Sequence, residues 1–472
     1  MNFQDLKNQQ KVHFIGLGGI GMSALAFVLR ELDITVQGSD LSENYLTDKI
    51  RSKGIEYVVG QKYENIGDDV SLVIKTSIIK DDNPEILAAK DKGIKIISRA
   101  ELLAIVMQNY TNITIAGTHG KTSTTAMVAL VLELSGLDPT VINGGVINYF
   151  GSNSKIGKGK YLAAESDESD GSFVILPTSI GAITNIEAEH LEHPAYNGSF
   201  ETQKQYYERY VRQINEKDGF CAICIDDLEG KKLYKKLLPD NDCLFSYSIK
   251  DENADLYAHN IKSDVNGFEF DVKFKSGRAI SAIKINAYGE HNICNALAAI
   301  SIANHLDIED EGLKNGLLKF SGVKRRFSKV GEYKGVAIID DYAHHPTEVE
   351  ATLKAARQLA GDHKVICVFQ PHKYSRLSGL FDEFCSSFSN ADHVVVCDIF
   401  STGQAPIDGA RQDDLIAGIK AKGHKNVTKL ENKQQLASLV KPLIASGDII
   451  FCAGAGSITY WAASLEEQLK NL

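Results

Sequence analysis

The chain has 472 residues, 43% hydrophobic and 24% charged, which is more than one hydrophobic core organises and is the balance of a globular enzyme. A formal charge of -10 argues against nucleic acid as the main partner. The opening MNFQDLKNQQKVHF has no apolar segment of signal-peptide length, and no apolar run is long enough to span a bilayer, so a cytoplasmic protein with no membrane partner is expected.

The first hundred residues alternate β-branched runs with helical patterns: KVHFIG, GMSALAFVLREL, ITVQGSD, SLVIKTS, NPEILAAKDKG, IKIIS and AELLAIVMQ. That rhythm predicts a parallel sheet wrapped by helices. After QNYTN the strand NITIAG opens a longer, mixed unit. Its later part, DLYAHNIKSDVNGFEFDVKFKSGRAISAIKI, alternates in polarity, with turn signals at Asn266-Gly267 and Ser276-Gly277. The alanine-rich helix HNICNALAAISIANHL follows. A basic connector, SGVKRRFSKVGEYKG, then leads to a third alternating set: VAIIDD, PTEVEATLKAARQLA, KVICVFQP, HVVVCDIF, DDLIAGIKAKG and DIIFCAGAGS before a closing helix. The expectation is three α/β units, at 1–108, 109–324 and 325–472. Eight cysteines in so long a chain make no disulfide framework. Cys221 and Cys224 have CxxC spacing, but no second pair or histidine cluster accompanies them, and the segment reads as a buried strand.

GTHGKTSTT, Gly117 to Thr125, sits between a strand and a helix. A standard Walker loop has a glycine five residues before its Gly-Lys pair, where this chain has Ile115. Gly117 and Gly120 still permit a tight turn, and phosphate oxygens would meet bare amides at the positive helix end. Lys121 adds a point charge, and the Thr122 hydroxyl is a hard donor suited to Mg²⁺. The strand KYLAAESDESD ends in Glu165, Asp167, Glu168 and Asp170; Glu165, directly after the apolar stretch, is the preferred metal ligand. GAITNIEAEHLEH ends in further acids and His190. A second phosphate site is offered by GLGGIG, Gly16 to Gly21, with Asp40 at the end of the next strand. Alone, that is a dinucleotide fingerprint, and NAD, FAD or a nucleotide-sugar diphosphate would each suit it. The third unit supplies DDYAHHPTEVE, with Asp340, Asp341, His344 and His345, and QPHKYSR, with His372, Lys373 and Arg376; Arg325 and Arg326 precede both.

In order and approximate separation, GLGGIGMSALA, GTHGKTSTT, AESDESD, TNIEAEHLEH, GEHNICNALAA, GVKRRF, DDYAHHPTEV and QPHKYSR resemble the motifs of the Mur ligases, from about residue 12 to the final helix. The resemblance implies a three-domain α/β architecture: a Rossmann-like domain for a UDP-sugar, a central P-loop ATPase domain with a mixed sheet and a small antiparallel part, and a Rossmann-like third domain that closes over the site. It implies ATP held by Gly117, Thr118, Gly120, Lys121, Thr122, Ser123, Asn292, Asn295, Arg326 and Asp341. Thr122, Glu165 and His190 would be metal ligands for Mg²⁺. The UDP-sugar would sit on Gly16, Gly18, Gly19, Gly21, Met22, Ser23 and Asp40, and His344 and Arg376 would meet the amino acid.

DYAHHPTE with QPHKYSR looks most like the type that adds L-alanine to the lactyl carboxylate of UDP-N-acetylmuramate. That carboxylate would attack the γ-phosphate to give an acyl phosphate, with Lys121 and Arg326 neutralising charge; the amine would then displace phosphate, His344 being a plausible base. The alternatives are a peptide-recycling or later stem-peptide ligase and, outside the family, an NAD-dependent dehydrogenase. Two positions depart from the common pattern: Gln61, where histidine is usual, and Gln404, near a frequent glutamate.

Overall fold

A computed structural model describes residues 1–214, 219–264 and 266–472. Three sheets organise the chain. The first is formed by β1 (Val12–Ile15), β2 (Val36–Asp40), β3 (Glu56–Val59), β4 (Leu72–Lys75) and β5 (Lys95–Ser98), in the order β3-β2-β1-β4-β5 with every pairing parallel. Central β1 is buried along its length, as a strand covered on both faces must be. β3 has no apolar run to announce it: EYVV lies at the sheet edge with only Tyr57 buried.

The second sheet has ten strands: β6 (Thr111–Ala116), β7 (Thr140–Ile147), β8 (Ser152–Lys155), β9 (Tyr161–Glu165), β10 (Ile180–Ile183), β11 (Phe220–Cys224), β12 (Leu244–Ser248), β13 (Leu256–Asp264), β14 (Gly267–Phe274) and β15 (Ala279–Ile285). Their order is β15-β14-β13-β12-β11-β10-β6-β9-β7-β8. The sheet is mixed, since β7 pairs with β8 antiparallel while β6 is parallel to both neighbours. The turn expected at Ser276-Gly277 is present: Gly277 has φ +95°, and the Phe274 amide donates to the Arg278 carbonyl at 2.8 Å.

The third sheet contains β16 (Ser328–Tyr333), β17 (Val336–Asp341), β18 (Val365–Phe369), β19 (His393–Val396), β20 (Val427–Lys429) and β21 (Ile449–Ala453), in the order β16-β17-β21-β18-β19-β20. Only β16 is antiparallel to its neighbour. The segment read as a basic connector therefore contains an edge strand. Its mostly solvent-facing residues, SKVGEY, give no hydrophobic signal, and pairing with β17 decides its conformation.

Three sheets stand where three α/β units were expected, but the chain forms two compact units. One comprises Met1–Lys262, Glu269–Ile285 and Ile293–Ser321; the other Ser263–Phe268, Asn286–Asn292 and Gly322–Leu472. The first two sheets share a unit because the helix Ile20–Glu31 lies against β7 and β8. Phe14, Leu25 and Phe27 belong to the same buried cluster as Ile142, Val146 and Leu162. Asn153 of β8 donates to the Ile20 carbonyl at 2.7 Å and to Ser23 Oγ at 3.2 Å. Among the described residues no helix is long and apolar enough to cross a membrane.

Candidate functional site

Buried β6 delivers the chain to Gly117 at φ +133°, and Gly120 at φ +81° opens the helix Lys121–Leu134. No side chain caps that helix start, so its first amides remain available to an anion. The segment after β10 stitches the loop in place. Thr184 Oγ1 donates to the His119 carbonyl at 2.6 Å, the His119 amide to Asn185 Oδ1 at 2.8 Å, and the Glu187 amide to Thr118 Oγ1 at 2.8 Å. A Cβ on Gly117 would lie 2.1 Å from Thr184 Oγ1, and one on Gly120 would lie 2.5 Å from Asn295 Oδ1. Of the expected nucleotide residues, Thr118, Lys121, Thr122 and Asn295 are buried around this turn, and Ser123 is partly open. Asn292, in the other compact unit, donates to the Tyr288 carbonyl at 2.7 Å.

Lys121 Nζ donates to the carbonyls of Gly117 (2.6 Å) and Thr118 (2.8 Å) and pairs with Glu168 at 2.6 Å. Burial alone would lower its pKa, but Glu168, Asp167 and Glu165 outweigh burial and raise it, so the ammonium is charged before any anion arrives. Burial drives the Glu168 carboxyl up to about 8, against the pull of Lys121. Asp167 is far more open to solvent than Glu168, and against what burial it has, Arg99 and Lys121 bring it below the usual carboxylate range. Glu168 is thus the innermost acid of AESDESD, although its spacing did not distinguish it from a solvated loop residue.

Glu165 Oε2 accepts from Thr122 Oγ1 and from the Gly144 amide, both at 2.9 Å. His190 has φ +58°, and a ligand atom of each of Glu168, Glu189 and His190 lies within 4.8 Å of the others. The donor set of Thr122 and Glu165 is hard oxygen, and a Cβ on Gly144 would collide with Glu165 Oε2 at 2.1 Å. These residues fit a Mg²⁺ ion. Gly144 was missed because it belongs to no motif, and Glu168, named among the four acids, was not preferred over Glu165 because spacing does not rank them; tertiary folding alone brings β7 and the acidic loop to the phosphate turn.

In GLGGIG, Gly16 takes φ +87° and the Gly18 amide donates to Asp40 Oδ2 at 2.9 Å. A Cβ on Gly18 would lie within 3 Å of Asn44, Asp40 and Tyr57. Asp40 therefore braces the loop as well as ending β2. Met22 and Ser23 are buried, so that turn presents backbone rather than these side chains to a ligand. Arg99, which no motif indicated, lies beside Gly21, with its Cδ 3.3 Å from a Cβ placed there, and its Nη2 is 3.5 Å from Asp167. At the departure Gln61, Oε1 accepts from Asn83 Nδ2 at 2.7 Å.

In the second unit, Asp341 accepts from the Phe327 amide (2.6 Å) and the Ala343 amide (2.7 Å). Both oxygens thus bind the chain's own backbone, holding the loop that carries His344. Burial raises its carboxyl to about 6. A carboxyl raised in the folded state favours folding fully below the unfolded pKa near 4, and that contribution disappears as pH climbs through about 6. Between pH 4 and 6, the unfolding free energy of Asp341→Asn should rise more steeply with pH, or fall less, than wild type by up to about 1.4 kcal/mol per pH unit, read from urea titrations. Identical slopes would contradict the assignment.

Arg326 Nη1 lies 3.9 Å from Glu348, with its guanidinium 5.2 Å from the Tyr342 ring centre. Its neighbour Arg325 bonds the Gly454 carbonyl at 3.0 Å and is a brace. His344 Nδ1 meets the Tyr342 carbonyl at 2.9 Å, which places its hydrogen on Nδ1 and makes Nε2 the basic nitrogen. Arg376 Nη1 donates to His372 Nδ1 at 3.0 Å. Burial, with nearby His344 and Arg376, lowers His372 to about 3, so it accepts that bond as a neutral ring. Gln404 accepts from the Ser375 amide at 3.1 Å and donates to Ser375 Oγ at 3.0 Å, clasping the short helix Tyr374–Gly379 that carries Arg376.

A phosphate turn with buried acids, in a chain that also carries a parallel glycine-loop sheet and a further α/β sheet, has the parts of an ATP-using ligase, and family models give it a name. Residues 11–111 match the Mur ligase family catalytic domain, 115–303 the Mur ligase middle domain, and 325–456 the Mur ligase glutamate ligase domain. The chain belongs to the Mur ligase family. It is 44% identical over 467 residues to the UDP-N-acetylmuramate–L-alanine ligase of Bradyrhizobium sp. (strain ORS 278), covering 98% of both chains. To the enzyme of that name from Rhodospirillum centenum it is 42% identical over 466 residues, covering 98% of this chain and 95% of the relative. The crystal structure of the UDP-N-acetylmuramate–alanine ligase from Thermotoga maritima superposes with a TM-score of 0.84 at 28% identity, covering 98% and 99%. A murein peptide ligase from Psychrobacter arcticus shares the fold, with a TM-score of 0.72 at 23% identity over 98% and 99%.

Proposed function

We propose that this chain joins L-alanine to the lactyl carboxylate of UDP-N-acetylmuramate with cleavage of ATP to ADP and phosphate, a step of peptidoglycan synthesis. One observation carries the reading: relatives named for that reaction are 42–44% identical over 98% of the chain. The glycine-loop sheet suits the UDP-sugar and the GTHGKT turn suits ATP, so two phosphate sites serve two nucleotides. The same reading divides the chain at about 108 and 325.

Lys121, held at the start of its helix by two carbonyls, offers charge where the terminal phosphates would lie, and the uncapped helix amides would bind their oxygens. Thr122 and Glu165, with His190 near Glu168 and Glu189, would hold Mg²⁺, which when bound offsets the repulsion between carboxylate and triphosphate. Attack of the sugar carboxylate on the γ-phosphorus gives an acyl phosphate and ADP. The alanine amine then adds to the acyl carbon and expels phosphate. Arg326 is assigned to γ-phosphate charge, Asn292, Asn295 and Asp341 to the nucleotide side, and Arg376, braced by neutral His372, to the alanine carboxylate. His344 Nε2 is the group suited to take the amine proton.

Phosphate release in the presence of ATP, Mg²⁺ and UDP-N-acetylmuramate should require an amino acid, with L-alanine the best of a panel. Turnover with diaminopimelate or a preformed peptide but not alanine would place the chain at another step.

A further inference from the structure

We propose that Cys224, Cys294 and Asp226 form a site for a soft divalent cation of the zinc class. Their ligand atoms lie within 4.8 Å of one another, with Cys294 Sγ 3.9 Å from Asp226 Oδ2. Tetrahedral zinc with a thiolate at about 2.3 Å and a carboxylate at about 2.1 Å separates those two atoms by about 3.6 Å, so little movement is needed. Cys224 ends β11, Asp226 follows two residues later, and Cys294 arrives in the first turn of the helix His291–His305. The CxxC partner Cys221 takes no part; the second thiolate comes from seventy residues away, beyond the reach of sequence spacing.

Asp226 is oriented as metal-binding carboxylates are. Ser248 Oγ donates to its Oδ1, and the Ile249 amide donates to Oδ2 at 2.7 Å. Asp226 and Cys294 are partly exposed, and Asp226 lines a cleft of about 550 Å³ with Lys231, Lys250 and Tyr257, which provides entry and room for water as a fourth ligand. Lys250 is the cation nearby; it is exposed and free to swing into solvent. Two thiolates and a carboxylate select zinc or cadmium over magnesium, so the site is chemically separate from the hard-oxygen pair at Thr122. Binding replaces two thiol protons with the metal. Asn295, next to Cys294, packs on Gly120, so a bound ion would set the first turn that carries it.

The test is Cd²⁺ titration of the reduced full-length protein, followed by the thiolate-to-metal absorption band and by proton release in weak buffer. One equivalent per chain should develop a two-thiolate band and release about two protons. Cys294→Ser should lose at least half the band, Cys243→Ser should retain it, and Asp226→Asn should keep the band while weakening binding at least tenfold, with circular dichroism verifying each fold. Absence of the band at one equivalent in wild type, or a band unchanged in folded Cys294→Ser, overturns the site.

Discussion

Lys121→Met is expected to lower ATP-dependent turnover about 10³-fold, or about 4 kcal/mol of transition-state stabilisation, while leaving UDP-sugar affinity within about threefold. The ammonium lies at the helix start that would receive the terminal phosphates, and burial has removed the water that would otherwise screen it. Methionine preserves much of the volume and no charge. Folding should suffer less than the usual loss for breaking a buried pair, because Glu168 is already displaced toward its neutral form by burial and can keep a proton once Lys121 is gone. The measurements are steady-state phosphate release, calorimetric sugar binding and a thermal melt. Turnover within tenfold of wild type would remove Lys121 from the chemistry, and a large loss of sugar binding would contradict separate nucleotide sites.

Gly117→Ala should destabilise the protein by about 3 kcal/mol or more and reduce nucleotide binding with it. Two costs combine: backbone strain of about 1–3 kcal/mol for a side chain at φ +133°, and overpacking of a similar size, since the new methyl would lie 2.1 Å from Thr184 Oγ1 and 3.1 Å from the Asn185 carbonyl. Thr184 cannot retreat without releasing its bond to His119, so the relief available is loosening of the phosphate turn itself. Gly93→Ala is the matched control: φ is +67° but nothing lies within 4 Å, so only a strain cost of about 1–2 kcal/mol applies. Denaturant midpoints of the two variants separate packing from strain. Equal losses would show that the contact with Thr184 carries no weight.

The parallel strands and their helices were legible because buried runs such as VHFI, VICVF and IIFCA are apolar throughout. β3 and β16 were not, because an edge strand with solvent on most of its side chains has no hydrophobic pattern to display. The phosphate turn was equally visible: a glycine at each side of a strand-to-helix junction, then Lys-Thr, defines its chemistry locally. The partner of that lysine was hidden among four acids that look alike in one dimension.

By itself, then, the order of residues determined the strand-helix rhythm and the two glycine turns, since each depends on neighbours within a few positions, and the family, since eight short motifs recur in order along the chain. Tertiary structure alone decided that Glu168 meets Lys121, that Gly144 donates to Glu165, that Arg99 lies between Gly21 and Asp167, and that Cys294 comes to Cys224. It also merged the first two sheets into one unit through the helix laid on β7 and β8. The physical reason is the same throughout: burial and pairing are properties of atoms brought together by folding, and side chains far apart along the chain carry no mark of which others they will meet.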